Sequence, residues 1–230
     1  MDDMVLEKLV SREDFNTIID YLDKQDFNFC AGDGKIEVLN AKYFSTLFQA
    51  IYNGVFINDI GAIENIICAL TLDDIKIAED KAVVTIYHGQ ENEYTVDIPK
   101  QLGIDMFEVG LDDIYSRNIH GVFKINSVLQ SEKSIFKTPN KKIGRTDTTS
   151  VRSYLYKNAK VIIDKVFAGK RKISFKSIYY AGVFHRVEDA GVQLTYKNLT
   201  SGTGKEIYRK ECERVRLNNP YSVVRGMFFG

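Results

Sequence analysis

The chain has no tryptophan, 3 prolines and 3 cysteines among its 230 residues. It also lacks any apolar run approaching the ~18 residues that a membrane-crossing helix requires. Each shortage removes a class of protein. Cys30, Cys68 and Cys212 are odd in number and far apart, which fits neither a disulfide framework nor a paired-cysteine metal site. They read as reduced, structural thiols of an intracellular, cytoplasmic protein. The opening Met1-Asp2-Asp3-Met4 is acidic, whereas a secretory leader begins with basic residues and then an apolar stretch, so export by that route is not expected. What is present is an ordinary globular composition, 44% hydrophobic and 27% charged, enough for one large domain or two small ones. In place of tryptophan, 13 Tyr and 14 Phe supply the large packing surfaces.

Net charge is zero, but its distribution is not. Residues 1–120 hold 23 Asp and Glu against 9 Lys and Arg, a balance of −14, and residues 121–230 hold 8 against 22, a balance of +14. Such segregation points to a polyanionic ligand or to charge-matched assembly. A basic half attracts a phosphate backbone and gains from counterion release, the acidic half is repelled by it, and the resulting dipole orients the approach. The alternative is that the halves fold against each other and their charges partly cancel.

Periodicity predicts an α+β fold, amphipathic helices packed on mainly antiparallel sheets. Ser11 with Asp14 reads as a helix cap before Phe15, Ile18, Ile19 and Leu22, one apolar face. Phe27–Cys30 and Lys35–Leu39 around Ala31-Gly32-Asp33-Gly34 read as two short strands. Helices follow with Phe44, Leu47, Phe48 and Ile51, closed by Asn53-Gly54, and with Ile63, Ile66, Ile67 and Leu70. The period then shortens to that of strands at Asp74–Ala78, Ala82–His88 and Glu93–Ile98. Residues 99–118 are ambiguous, and His120–Val128 reads as a strand. Residues 129–149, polar, basic and aperiodic, are the best linker candidate. Beyond it a helix is expected from Ser150 to Phe167, with Leu155, Ala159, Ile162 and Val166 inward. Strands are expected at Lys172–Lys176, Gly182–Arg186, Val192–Lys197 and Tyr221–Phe229, with Lys205–Leu217 as strand or charged helix. A helix followed by three strands thus recurs at 61–98 and 150–197, without residue-level identity, and coincidence is the preferred reading. The charge map suggests an acidic domain over 1–118 and a basic one over 119–230, with a single domain as the alternative.

No motif identifies a reaction. Asn198–Glu206 carries a Gly-Thr-Gly-Lys run, but Leu199 stands where a phosphate-binding loop needs its first glycine and Glu206 where it needs Ser or Thr, so a hairpin turn accounts for it better. His185, Glu188 and Asp189 combine an imidazole with two carboxylates, a set suited to acid–base work, yet they fall at an expected strand end and turn. Asp73, Asp74, Glu79 and Lys81 have nuclease-like chemistry. A strand separates Asp73 and Asp74 from Glu79 and Lys81 by roughly 15 Å, too far for one ion. His88 and His120 have no metal-ligand spacing to each other or to any cysteine.

The redundant signal is basic. Lys141, Lys142, Arg145, Arg152, Lys157, Lys160, Lys170, Arg171, Lys172 and Arg186 are the expected nucleic-acid contacts, with Lys137 and Lys176 beside them. Phe136, Tyr154, Tyr156, Phe175, Tyr179, Tyr180 and Phe184 run through the set, and cations interleaved with rings suit phosphate tracking and base stacking. The expectation is a non-catalytic accessory protein that binds DNA or RNA, without cofactor or metal. Its acidic half would meet a protein partner, a second copy or the basic half itself. Head-to-tail assembly through unlike faces, and a nucleic-acid-modifying enzyme centred on His185, Glu188 or Asp189, are the alternatives.

Overall fold

The first helix forms where the sequence supplies a cap. Extended Ser11 accepts a hydrogen bond on its side chain from the Asp14 N–H, opening α1 (Arg12–Asp23), and Phe15, Ile18 and Leu22 face inward. The computed structural model describes residues 9–24, 28–30, 38–56, 70–111, 114–119, 123–128, 134–136 and 148–229. Within them the class is α+β, with every strand pairing antiparallel. No helix among the described residues is long and apolar enough to cross a membrane.

β1 (Asn28–Cys30) pairs with β2 (Val38–Asn40), as the sequence predicts, and the connecting Gly-Asp-Gly lies outside the described residues. α2 (Ala41–Tyr52) follows directly, buries Phe44, Leu47, Phe48 and Ile51, and ends at Gly54, whose φ of +99° suits glycine. The helix expected around Ile63, Ile66 and Ile67 lies outside the described residues. A 3-10 turn (Leu72–Asp74) leads into a sheet of β3 (Ile75–Ile77), β4 (Lys81–Ile86) and β5 (Tyr94–Pro99) in sequential order. Ala82, Val84, Ile86, Val96 and Ile98 form its buried face.

The ambiguous stretch resolves into α3 (Lys100–Leu111) and β6 (Ile114–Ile119), and β6 pairs with β7 (Phe123–Val128). Pro99 closes β5, and Gly103 is an approach point. A Cβ on Gly103 would lie 2.2 Å from that of Ala82, so the missing side chain lets α3 press onto β4. The middle of the polar stretch at 129–149 is anchored. Ser134 bridges to Thr71, while Ile135 and Phe136 are fully buried, with Phe136 edge-on to Tyr43.

Past this point the strand expectations fail. α4 (Thr148–Val166) occurs as predicted, with Leu155, Ala159 and Ile162 buried. The strands expected at 172–176 and 182–186 are instead one helix, α5 (Phe175–Asp189). Its N-terminus is closed by a reciprocal Ser174–Ser177 capping box. Val192 begins no strand but a short connection to α6 (Tyr196–Thr200); the glycine-rich run opens α7 (Gly202–Arg214), and the last segment is α8 (Pro220–Phe229). The glycines there make a helix–helix corner rather than a hairpin. Gly202 has φ of +63°, and a Cβ on Gly204 would stand 2.4 Å from the Asn198 carbonyl oxygen. No strand occurs among the described residues beyond Val128, so the second helix-plus-three-strand unit does not exist.

The cause of the misreading is physical. α5 buries Phe175, Ile178, Tyr179, Ala181, Val183, Phe184, His185 and Val187, residues that point in almost every direction, because α1, α2 and α7 pack around it. A helix enclosed in this way has no polar face to reveal its 3.6-residue period. The core of the described residues draws on both sides of residue 118: Phe48 of α2 meets Phe175 of α5 edge-on, and Phe56 packs on Tyr179.

Candidate nucleic-acid interface

The basic residues of α4, of the turn after it and of the start of α5 are neighbours along one stretch of chain. α4 ends at Val166, and past Phe167 the residues Ala168 (φ +50°) and Gly169 (φ +72°) reverse the backbone. The turn closes on hydrogen bonds from Gly169 N–H to the Asp164 carbonyl (2.9 Å) and from Lys170 N–H to the Phe167 carbonyl (3.0 Å). It thrusts Lys170, Arg171 and Lys172 outward in succession, and all three are exposed. Lys157, Lys160 and Lys165 are exposed on α4, and Lys176 is exposed on the first turn of α5, where its ammonium lies 5.5 Å from the Tyr180 ring centre. Residues 148–177 carry eight cations and a single carboxylate, Asp164.

Asp164 and Asp14 are counter-ions to this set. Lys160 meets Asp164 at 3.6 Å, and Arg171 meets Asp14 of α1 at 3.4 Å. The Lys160 and Arg171 side chains are 79% and 48% exposed. Exposed ion pairs contribute about 0–1 kcal/mol, too little to keep either cation from a phosphate.

Arg186 behaves differently and is removed from the contact surface. Its side chain is 24% exposed, and its guanidinium donates from Nε to Glu211 and from Nη1 to the Tyr52 carbonyl (2.9 Å). Glu211 also accepts from Arg214, whose guanidinium reaches the carbonyls of Asn53 (3.3 Å) and Asp97 (3.2 Å). Breaking a pair this enclosed costs about 3–5 kcal/mol, so Arg186 serves the fold. Lys141, Lys142 and Arg145 lie outside the described residues, as do Lys137 and His120; of Arg152 only the backbone position on α4 is described.

Most of the interleaved rings are core. Phe136, Phe175, Tyr179 and Phe184 are at most 2% exposed, while Tyr156 is 37% exposed and leans on Phe175 with 4.5 Å between ring centres. Tyr180 is half-buried.

The histidine–carboxylate set forms a second centre, inside the molecule. His185 lies in the last turns of α5, not at a strand end, and is 5% exposed. Its Nδ1 and the Tyr52 hydroxyl share a hydrogen bond of 2.9 Å. Arg12 of α1 donates to the His185 carbonyl and to Asp189 (2.8 Å), with Glu188 at 3.4 Å. Burial, then the cationic Arg12, push the imidazole down to about 4, so it is neutral near pH 7. The carboxylates are held by Arg12 and the imidazole is enclosed, an arrangement that ties α1 and α2 to α5. Its partners Arg12 and Tyr52 are far away in sequence and gave no local signal.

The acids at 73–81 separate as expected. Asp74 is buried in the 3-10 turn, accepting from Thr71 N–H (2.7 Å) and the Thr71 hydroxyl (2.9 Å), while Lys81 pairs with Asp97 (2.6 Å). His88 is not isolated: its Nδ1 meets Asp74 at 3.1 Å. Among the described residues no group of three or more His, Cys, Asp or Glu is placed to hold a metal ion. Cys212 is buried, and that burial pushes its thiol up to about 12.

No protein-family model matches the sequence, and no curated protein is similar to it.

Proposed function

We propose that this protein is a non-catalytic nucleic-acid-binding accessory protein whose contact surface is the basic face of α4, the α4–α5 turn and the start of α5. One observation carries the reading. Lys157, Lys160, Lys165, Lys170, Arg171, Lys172 and Lys176 are all exposed within a stretch holding one carboxylate. Three arginines further along are matched by carboxylates. Arg186 and Arg214 share Glu211, and Arg209 meets Glu206 and Glu213. This face thus gathers seven exposed cations of the basic half, and a phosphate backbone there displaces only weak surface pairs.

The test uses the full chain and a labelled oligonucleotide, with affinity followed by anisotropy as salt rises. Neutralising about five phosphates gives log K against log salt a slope of about −4.5 on duplex DNA. Replacing Lys170 and Lys172 with Glu is expected to lower affinity at least tenfold and to leave the circular dichroism spectrum unchanged, since both side chains are exposed. A flat salt response, or full affinity in that variant, overturns the reading. The acidic half is then free to meet a protein partner or a second copy, and sedimentation at low and high salt separates head-to-tail assembly from nucleic-acid binding.

A further inference from the structure

The end of the chain carries a second exposed feature that the basic face does not include. α8 places Tyr221, Arg225 and Phe229 at intervals of four residues, which puts them in a row along one side of the helix. All three are exposed; Tyr221 at 57% and Phe229 at 67% rank among the most exposed large side chains of the described residues. The opposite side holds the helix down through buried Val224 and Met227.

The row is braced from α6. The hydroxyls of Tyr196 and Tyr221 are 2.8 Å apart and hydrogen-bonded, and the Tyr196 ring stands edge-on to Phe229 at 4.8 Å and to Phe228 at 6.0 Å. Arg225 is close enough to act electrostatically on Tyr196. The contacts hold the two side chains in place while both remain more than half exposed.

The charge of the patch selects the occupant. α6 and α8 contain Lys197 and Arg225 and no carboxylate, and both cations are exposed. The nearest helix, α7, has exposed Glu206 and Glu213, but each is engaged by Arg209, at 3.1 and 3.5 Å. Exposed rings alternating with cations and free of carboxylates match the two faces of an unpaired nucleotide, a flat base and an anionic phosphate. Four residues of helix advance about 6 Å, so Tyr221 and Phe229 are about 12 Å apart with Arg225 midway. A strand rises about 3.4 Å per nucleotide, so three to four steps cover the distance past Arg225, and an unpaired strand, unlike a duplex, has base faces free to stack on the rings.

We infer that the Tyr221–Arg225–Phe229 row is a stacking site for unpaired bases, which makes single-stranded nucleic acid the preferred ligand. The inference rests on the reading of the basic face above and adds the strand state of the ligand.

The full chain is titrated with an oligothymidine of about 16 nucleotides and with a duplex of equal length. Replacing Tyr221 and Phe229 together with Ala is expected to cost about tenfold or more on the single strand, since stacking on one ring is worth about 1–3 kcal/mol. The duplex should lose less than twofold. Tyr221→Phe keeps the ring and should bind the single strand within about twofold of the parent; an unchanged circular dichroism spectrum and duplex affinity in the double variant assign its failure to lost stacking. Equal loss on both probes, or none on the single strand, overturns the inference. So does binding to phosphatidylserine vesicles, or a dimer in sedimentation equilibrium, that the double variant abolishes while oligothymidine affinity stays intact. Replacing Lys170 and Lys172 with Glu reports on the other face: if that change leaves both probes bound and the aromatic change does not, the row stands and the basic face falls.

Discussion

Gly182 of α5 lies so close to the backbone of Tyr52 that a Cβ on it would stand 1.8 Å from the Tyr52 carbonyl oxygen. That oxygen also accepts from Arg186 Nη1 at 2.9 Å, so the contact joins the end of α2 to the middle of α5 at a fixed height. The obstacle is backbone, which a rotamer change does not relieve. Gly182→Ala is expected to destabilise the protein by about 3 kcal/mol, read as a lower urea midpoint.

Acid should weaken the same junction. The buried imidazole of His185 titrates near 4 in the folded protein and near 6.5 in an unfolded chain. Folding favours the neutral form. The stabilisation is thus complete above about 6.5 and is lost as pH falls toward 4, by at most about 3 kcal/mol. Around it stand Arg12 from α1, Tyr52 from α2, and Arg186 and Asp189 from α5 itself. Urea titrations of the parent and of His185→Gln at successive pH values should show a steep drop in this window in the parent and a shallower one in the variant.

Two cations of the same half should respond in opposite ways. Arg186→Ala removes one of the two guanidinium partners of Glu211 and the donor to the Tyr52 carbonyl in a region of low exposure, and is expected to cost about 3 kcal/mol of stability. Where that variant remains folded, its nucleic-acid affinity should match the parent. Lys172→Ala should leave the unfolding midpoint within about 0.5 kcal/mol and lower affinity instead. Equal effects of the two on affinity would mean that exposure does not decide which cations act.

Asp14 offers a gain rather than a loss. Its carboxylate pairs with Arg171 at 3.4 Å, which places an acid of α1 against a proposed phosphate contact. Asp14→Asn keeps the shape and removes the charge. Affinity is expected to rise about twofold and stability to fall by less than about 1 kcal/mol, both measurable on the full chain.

How much of this was legible in the sequence depended on whether an element kept one wet side. α1, with Phe15, Ile18 and Leu22 inward and Glu13 and Asp20 outward, announced itself, as did β4 and β5 through the alternation at Val84, Ile86, Val96 and Ile98. α5 did not, because neighbours enclose it. In α8 the residues from Tyr221 to Phe229 read as a β-prone apolar run until Pro220 is recognised as the first residue of a helix. For the candidate site, local sequence marked the cations but not their fates. Lys170–Lys172 and Arg186 looked alike, and only Glu211, 25 residues away from Arg186, separates the surface charge from the interior one. The rings followed the same rule: Phe175 and Phe184 belonged to the core, while the aromatic row on α8 was hidden under a strand assignment.

The sign of the charge changes near residue 120, which invites dissection of the gene at that point. The seam between α2 and α5 argues for a different outcome. A product covering only 119–230 would present to water the side of α5 that Phe48 covers, and would leave Val215 without the end of α2, where a Cβ on Gly54 would stand 2.3 Å from the valine. Such a product is expected in inclusion bodies, and soluble recovery should require co-expression of the complementary piece. The change of charge sign therefore falls inside a packed seam and does not mark a place to cut.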